Sequence, residues 1–171
     1  PTFAGGGLNR LWSLAPGSRS YLTTASLPNE RGIAYNPVTR HLILVNRTAP
    51  TIHVLDADSG ADLGTMNATG ITGGTYPLLL AGVADDGAVY AANLTTAGTT
   101  TAFKLYRWAN DSSSTVPTVA YSGDPGAGNS QRWGDTLDVR GAGTNTQIIA
   151  ASRSGNVVAI FTTANGTTFT S

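Results

Sequence analysis

The sequence predicts an all-β protein: a β-propeller of four-stranded antiparallel blades, about three of them present. Three observations carry that expectation. Helical periodicity is missing, because no window longer than about ten residues keeps apolar residues at i, i+3, i+4 and i+7 without a Gly, Pro or Asn-Gly interruption. Short apolar runs instead alternate with turns rich in Gly, Asn and Asp. A unit also recurs, beginning at 32, 82 and 136, so the period is roughly 50 residues with four strands each, the pattern of a propeller blade. Such a sheet buries both faces only when a neighbour packs on each side, which is why the unit repeats.

Residues 1–28 form an N-terminal segment in which apolar residues at 8, 12 and 14 predict a ring-closing strand over 8–14, ended by Pro16-Gly17 and belonging to a different blade. Residues 29–171 hold three blades, about 29–74, 75–130 and 131–171. In the first, Gly32-Ile33-Ala34-Tyr35-Asn36 and Leu42-Ile43-Leu44-Val45-Asn46 form the inner pair, followed by strands over 51–55 and 61–66. The second pairs Gly82-Val83-Ala84 with Ala88-Val89-Tyr90-Ala91-Ala92-Asn93, then adds 103–108 and 118–122. In the third, strands at 136–141, 147–152, 157–161 and 167–171 repeat the order. The innermost strands are small and apolar, as crowding around an axis requires. Val89 and Tyr90 are expected to pack between blades.

Charge removes several function classes. Charged residues make up 12% of 171, ten of each sign, and Lys104 is the single lysine. A net charge of zero gives no extended field to hold phosphate backbones or anionic lipid, so nucleic acid is not expected as a partner. Without a run of 18 apolar residues, membrane insertion is not expected either. Zero cysteines remove disulfides, thiolate metal sites and a Cys nucleophile. Scarce lysine, 25 threonines and abundant Gly and Asn match the composition of bacterial exported proteins, and the expected location is extracellular or at the cell surface. Asn-x-Ser/Thr triplets at Asn46, Asn67, Asn93, Asn110 and Asn165 are read as a by-product of that composition rather than as glycosylation sites. Because the chain begins at Pro1, it reads as a processed or excised segment.

Four stretches carry a resemblance: Asn29-Glu30-Arg31-Gly32-Ile33-Ala34-Tyr35-Asn36, Val54-Leu55-Asp56-Ala57-Asp58-Ser59-Gly60, Gly82 to Leu94, and Arg132 to Gly141. In that order they are similar to the bacterial exported domain of unknown function family DUF4623. The resemblance covers about residue 8 to the end. It implies a propeller-like fold in a secreted or surface-attached protein, often within a larger architecture, and no catalytic residue. Three blades are about half of the domain it implies, so other blades, from the same protein or a second copy, are the expected partners.

Constellations that could carry chemistry have simpler readings beside them. Asp56, Asp58 and Asp62 around Ser59-Gly60 have a passing likeness to a calcium loop, but the distal Glu is missing and a β-turn accounts for them. Asp85-Asp86-Gly87 reads as a hairpin turn. His41 and His53 are read as structural. No Gly-x-Ser-x-Gly elbow exists, and Glu30 is the one glutamate. Catalytic, metal and cofactor residues are therefore assigned to none, with calcium kept as the one cofactor alternative.

Propeller topology brings the segments entering each innermost strand, and the loops joining second to third strands, to one face around the axial channel. Those segments hold Asn29, Glu30 and Arg31, then Thr75 and Tyr76, then Arg132, Trp133 and Asp135. The loops add Arg47, Asn93 and Arg153. Aromatic faces and Arg forks there would suit a polysaccharide. The simpler reading makes Glu30-Arg31 and Arg132-Asp135 ion pairs between blades and Trp133 packing. The expected function is a non-enzymatic exported propeller that binds, with carbohydrate as the candidate ligand, or builds a structure. A calcium-dependent propeller hydrolase or lactonase and a structural subunit of an extracellular fibre are the alternatives.

Overall fold

A computed structural model describes residues 9–24, 26 and 28–171. Two four-stranded antiparallel meanders and one three-stranded sheet follow one another along the chain. The first sheet is β1 (Glu30–Asn36), β2 (His41–Asn46), β3 (Thr51–Asp56) and β4 (Asp62–Thr65). The second is β5 (Tyr76–Val83), β6 (Val89–Leu94), β7 (Phe103–Trp108) and β8 (Thr118–Gly123). In the third, β9 (Asp138–Arg140) and β10 (Gln147–Ala151) flank a single 3-10 turn, Gly143–Asn145, and β11 (Val158–Thr162) completes the sheet.

The first strands lie side by side, with β5 between β1 and β9. Close backbone approach makes this possible. A Cβ at Gly32 would come within 2.7 Å of both Leu80 Cα and Ala81 N, so only glycine lets β1 lie this near β5. On the other side the Asp85 amide donates to the Gly141 carbonyl at 2.8 Å.

Period-two alternation then sends side chains to two cores. From the wholly buried β6, Val89 and Ala91 face the first sheet, where they join Ile43, Val45, Ile52, Leu78 and Trp108. Tyr90 and Ala92 face the third, with Phe103, Leu105, Ile148 and Phe161. Tyr90 is 1% exposed and meets the Phe169 ring edge-on, the centroids 5.6 Å apart. Burying each such side chain contributes about 1.5 to 3 kcal/mol.

Three expectations are corrected. β5 starts at Tyr76, ahead of the expected Gly82, because Tyr76 already pairs with Leu94 and Leu80 with Ala92, the register shifting between them. Residues 167–171 form no fourth strand: a lone antiparallel bridge joins Thr170 to Thr162. The Asn165 side chain explains this, since its Oδ1 accepts the amides of Thr167 and Thr168, both at 2.9 Å, which a ladder would have used. Phe169 instead turns inward, 6% exposed, and its amide donates to Ala120 of β8 at 2.8 Å. The ring-closing strand expected over 8–14 is not a strand at 9–14, and Leu8 lies outside the described residues.

The N-terminal segment acts as a strap across β3 and β4. Trp12 Nε1 donates to Ala57 O at 2.8 Å, Arg19 Nη2 to Gly60 O at 2.8 Å, and the Tyr21 ring stacks on His53 with centroids 3.6 Å apart. Asp56, Asp58 and Asp62 point to separate partners in the turn beneath it. Asp56 accepts from the Ser59 amide and hydroxyl, Asp58 pairs with Arg40, and Asp62 faces Arg19.

Candidate functional site

Most of the charged residues expected at one face do come together. At the end of the sheets where β1 begins, β2 ends and β6 ends, a cleft of about 400 Å³ is lined by Arg31, Arg47, Leu79, Leu80, Leu94, Arg132, Asp135 and Arg153. Each sheet contributes. Arg31 lies on β1 and Arg47 directly follows β2, its amide donating to Asn29 O at 3.0 Å. The second sheet supplies the leucine floor from β5 and β6.

Arg132 and Arg153 come from two loops of the third sheet that are tied to each other. The Arg153 amide donates to Arg132 O at 2.9 Å, and the Arg132 amide to Ser154 Oγ at 2.8 Å. Gly134 lets this loop press on the second sheet. At φ +106° it adopts a backbone that disfavours L side chains, and a Cβ would come within 2.2 Å of Asn93 O.

Charge pairing inside the cleft is uneven. Arg132 grips Asp135 with a two-pronged fork, Nε to Oδ2 at 2.6 Å and Nη2 to Oδ1 at 2.7 Å. That bond raises the Arg132 guanidinium above its usual value. Arg153 Nη1 stands 3.8 Å from the same carboxylate. Arg47 lies over the Tyr76 ring, its guanidinium carbon 4.6 Å from the ring centre. Its Nε is shut off from solvent with no hydrogen-bond acceptor among the described residues.

Four of the expected face residues do not act as expected. Trp133 is fully buried, 6.1 Å from the Phe103 ring, so it packs the core and offers no stacking platform. Asn93 is fully buried too, Oδ1 accepting the Lys104 amide at 2.8 Å and Nδ2 donating to Ala102 O at 3.1 Å. Glu30 turns away from Arg31 to accept the Thr23 amide at 2.9 Å, so the expected Glu30–Arg31 pair is not made. Tyr76 is half-buried, its ring face taken by Arg47. The Arg132–Asp135 pair forms, but within one loop of the third sheet rather than between sheets. The leucine floor is what sequence reasoning missed. Its signal is the run Leu78-Leu79-Leu80 after Tyr76-Pro77, on the strand that starts earlier than the repeat spacing places it.

Among the described residues no three His, Cys, Asp or Glu side chains gather as a metal-holding group. His41 and His53 lie on the adjacent strands β2 and β3, three register positions apart, and meet different partners. His41 Nδ1 is 3.0 Å from Asp111 Oδ2, and burial against Tyr21 pushes the His53 imidazole below its usual value.

Antiparallel meanders set side by side through their first strands, with a polar cleft where those strands begin, define a class of repeat-built all-β domain. The sequence profile of the family described as a domain of unknown function (DUF4623) matches residues 29–170, and the chain belongs to that family. A crystal structure of a DUF4623 family protein from Bacteroides eggerthii DSM 20697 is similar in fold, with a TM-score of 0.65 at 23% identity over 82% of this chain. The match covers 33% of that protein, so the chain spans about a third of its length. The PQQ-bound form of aldose sugar dehydrogenase from Streptomyces coelicolor matches more distantly, at a TM-score of 0.49 and 18% identity over 77% of this chain and 40% of that one. No curated protein matches.

Proposed function

We propose that the chain is a non-catalytic binding module of propeller type, exported or displayed at the cell surface, whose ligand enters the arginine cleft. The observation that carries this reading is the convergence of Arg31 and Arg47 from the first sheet and Arg132 and Arg153 from the third over a leucine floor from the second. Propellers place ligands at the mouth of the axis, where segments from several blades meet. In this reading the three sheets are consecutive blades, β1, β5 and β9 line the axis, and further sheets continue from the open face of the third. The greater length of the solved family member, of which the match covers 33%, supports the last point.

Low lysine and high Thr, Gly and Asn support the location. The acidic groups a hydrolase would need at this mouth are already engaged, Asp135 by Arg132 and Glu30 by Thr23. A polysaccharide array tests the reading. The chain is expected to be retained on at least one glycan, and Arg132→Ala to lose retention with the melting temperature within a few degrees of the parent. Loss of folding together with retention would make the arginine a structural staple instead.

A further inference from the structure

Four of nine arginines, in a chain whose formal net charge is zero, face one cleft of about 400 Å³. Asp135 is the single carboxylate in its lining. It answers Arg132 through both oxygens and lies within 4 Å of Arg153, while Arg31 and Arg47 have no carboxylate within that distance among the described residues. Arg47 is also held in place before any ligand arrives, over the Tyr76 ring, with a buried donor lacking an acceptor. Apart from Asp135, then, the charged side chains of the cleft are donors only, and they exceed its acceptors by three positive charges. A neutral sugar finds no aromatic face, since Trp133 is sealed in the core and Arg47 covers Tyr76. What fits is a ligand that brings acceptors and negative charge in the planar geometry a guanidinium fork takes. The Arg132–Asp135 fork shows this pairing already made inside the same cleft.

We infer that the cleft recognises a ligand carboxylate, carried by the uronate unit of an acidic saccharide, with Arg47 and Arg31 as the receiving fork and Arg153 as the flanking charge. The inference rests on the binding-module reading and specifies its ligand. Nucleic acid does not fit, because its phosphates need a basic track that a neutral chain with one lysine does not provide.

Calorimetric titration of the 171-residue chain with tetragalacturonate, its fully methyl-esterified form and citrate is the test. Tetragalacturonate is expected to bind at low ionic strength and to weaken as salt rises, with the ester at least tenfold weaker. Arg47→Ala is expected to lower tetragalacturonate affinity at least tenfold. Arg47→Lys should also lose severalfold, since an ammonium keeps the charge but not the fork. Arg40→Ala, at the exposed turn between β1 and β2, is expected to change nothing. Equal binding of acid and ester would overturn the carboxylate inference and leave the binding module standing. Binding of citrate without tetragalacturonate would keep the carboxylate site and overturn the saccharide as its carrier. No heat with any of the three at millimolar ligand would overturn the inference, and unchanged affinity in a folded Arg47→Ala variant would overturn the assignment of the fork.

Discussion

Asp111 holds the second sheet to the first at the end opposite the cleft. It sits in the loop after β7, its side chain 8% exposed, and one carboxylate oxygen takes three partners from the first sheet. Thr39 Oγ1 donates at 2.6 Å, Asn36 Nδ2 at 3.0 Å, and His41 Nδ1 stands at 3.0 Å. Asn36 is itself fully buried and folds the β1–β2 turn, its Oδ1 accepting the Val38 amide at 3.0 Å. Removing the carboxylate leaves buried donors unanswered, which costs more than the bonds themselves contribute. Asp111→Ala is therefore expected to lower unfolding free energy by about 2 to 4 kcal/mol in urea titration. A loss below about 0.5 kcal/mol would mean that water replaces the carboxylate at no cost.

The same scale shows why Trp133 and Asn93 were misplaced from sequence. Both belong to segments beside the cleft, but the bridge between Thr95 and Trp133 turns the indole inward, and Asn93 spends its amide on the β6–β7 connection. Such facing is decided by a single pairing register that no local pattern announces. The arginines were legible because a charged group seldom stays buried without a partner, whatever the register.

At the scale of elements, the strap and β3 make a titrating contact. His53 lies under Tyr21, and desolvation lowers its imidazole from the usual value near 6.5. A group whose folded value is depressed binds more protons unfolded, so its stabilisation is present above the unfolded value and is lost as pH falls. Melting temperature is expected to drop as pH falls from about 6.5 towards 5, and His53→Gln to flatten that slope. A variant that keeps the full slope would assign it to the carboxylates instead. For the first two sheets the strand order was readable from spacing, because four short apolar runs per unit have few other ways to pair. That the third sheet lacks a fourth strand was not. Asn165 resembles any turn residue in sequence, and its role in withholding two amides from a ladder is visible only once its side chain is placed.

At the scale of the whole molecule, the outward face of the third sheet is bare. Ile149, Val158 and Ile160 are 43%, 58% and 55% exposed, with Asp138 beside Ile149 in register and Arg140 held by Gln147. The opposite faces of β10 and β11 bury Ile148, Ala159 and Phe161, so the sheet is built to be covered on both sides and is covered on one. For the 171-residue chain alone, the expected cover is a second copy meeting it through the same face. Light scattering is expected to show mass above 17.5 kDa at tens of micromolar protein, and Ile149→Asp combined with Ile160→Asp to return the monomer. A compact monomer at every concentration would overturn this pairing.

The two flanks of the molecule are not equivalent. On the first sheet the strap already occupies the outer half of the outward face, through Trp12, Arg19 and Tyr21, and leaves Ile33 and Tyr35 of β1 open. For stacking sheet upon sheet the chain is thus monovalent. A unit with one adhesive side ends in a pair, whereas a unit with two grows without limit. Head-to-tail polymerisation into a fibre would first have to peel the strap from β3 and β4, so the segment ahead of the first sheet doubles as a terminator.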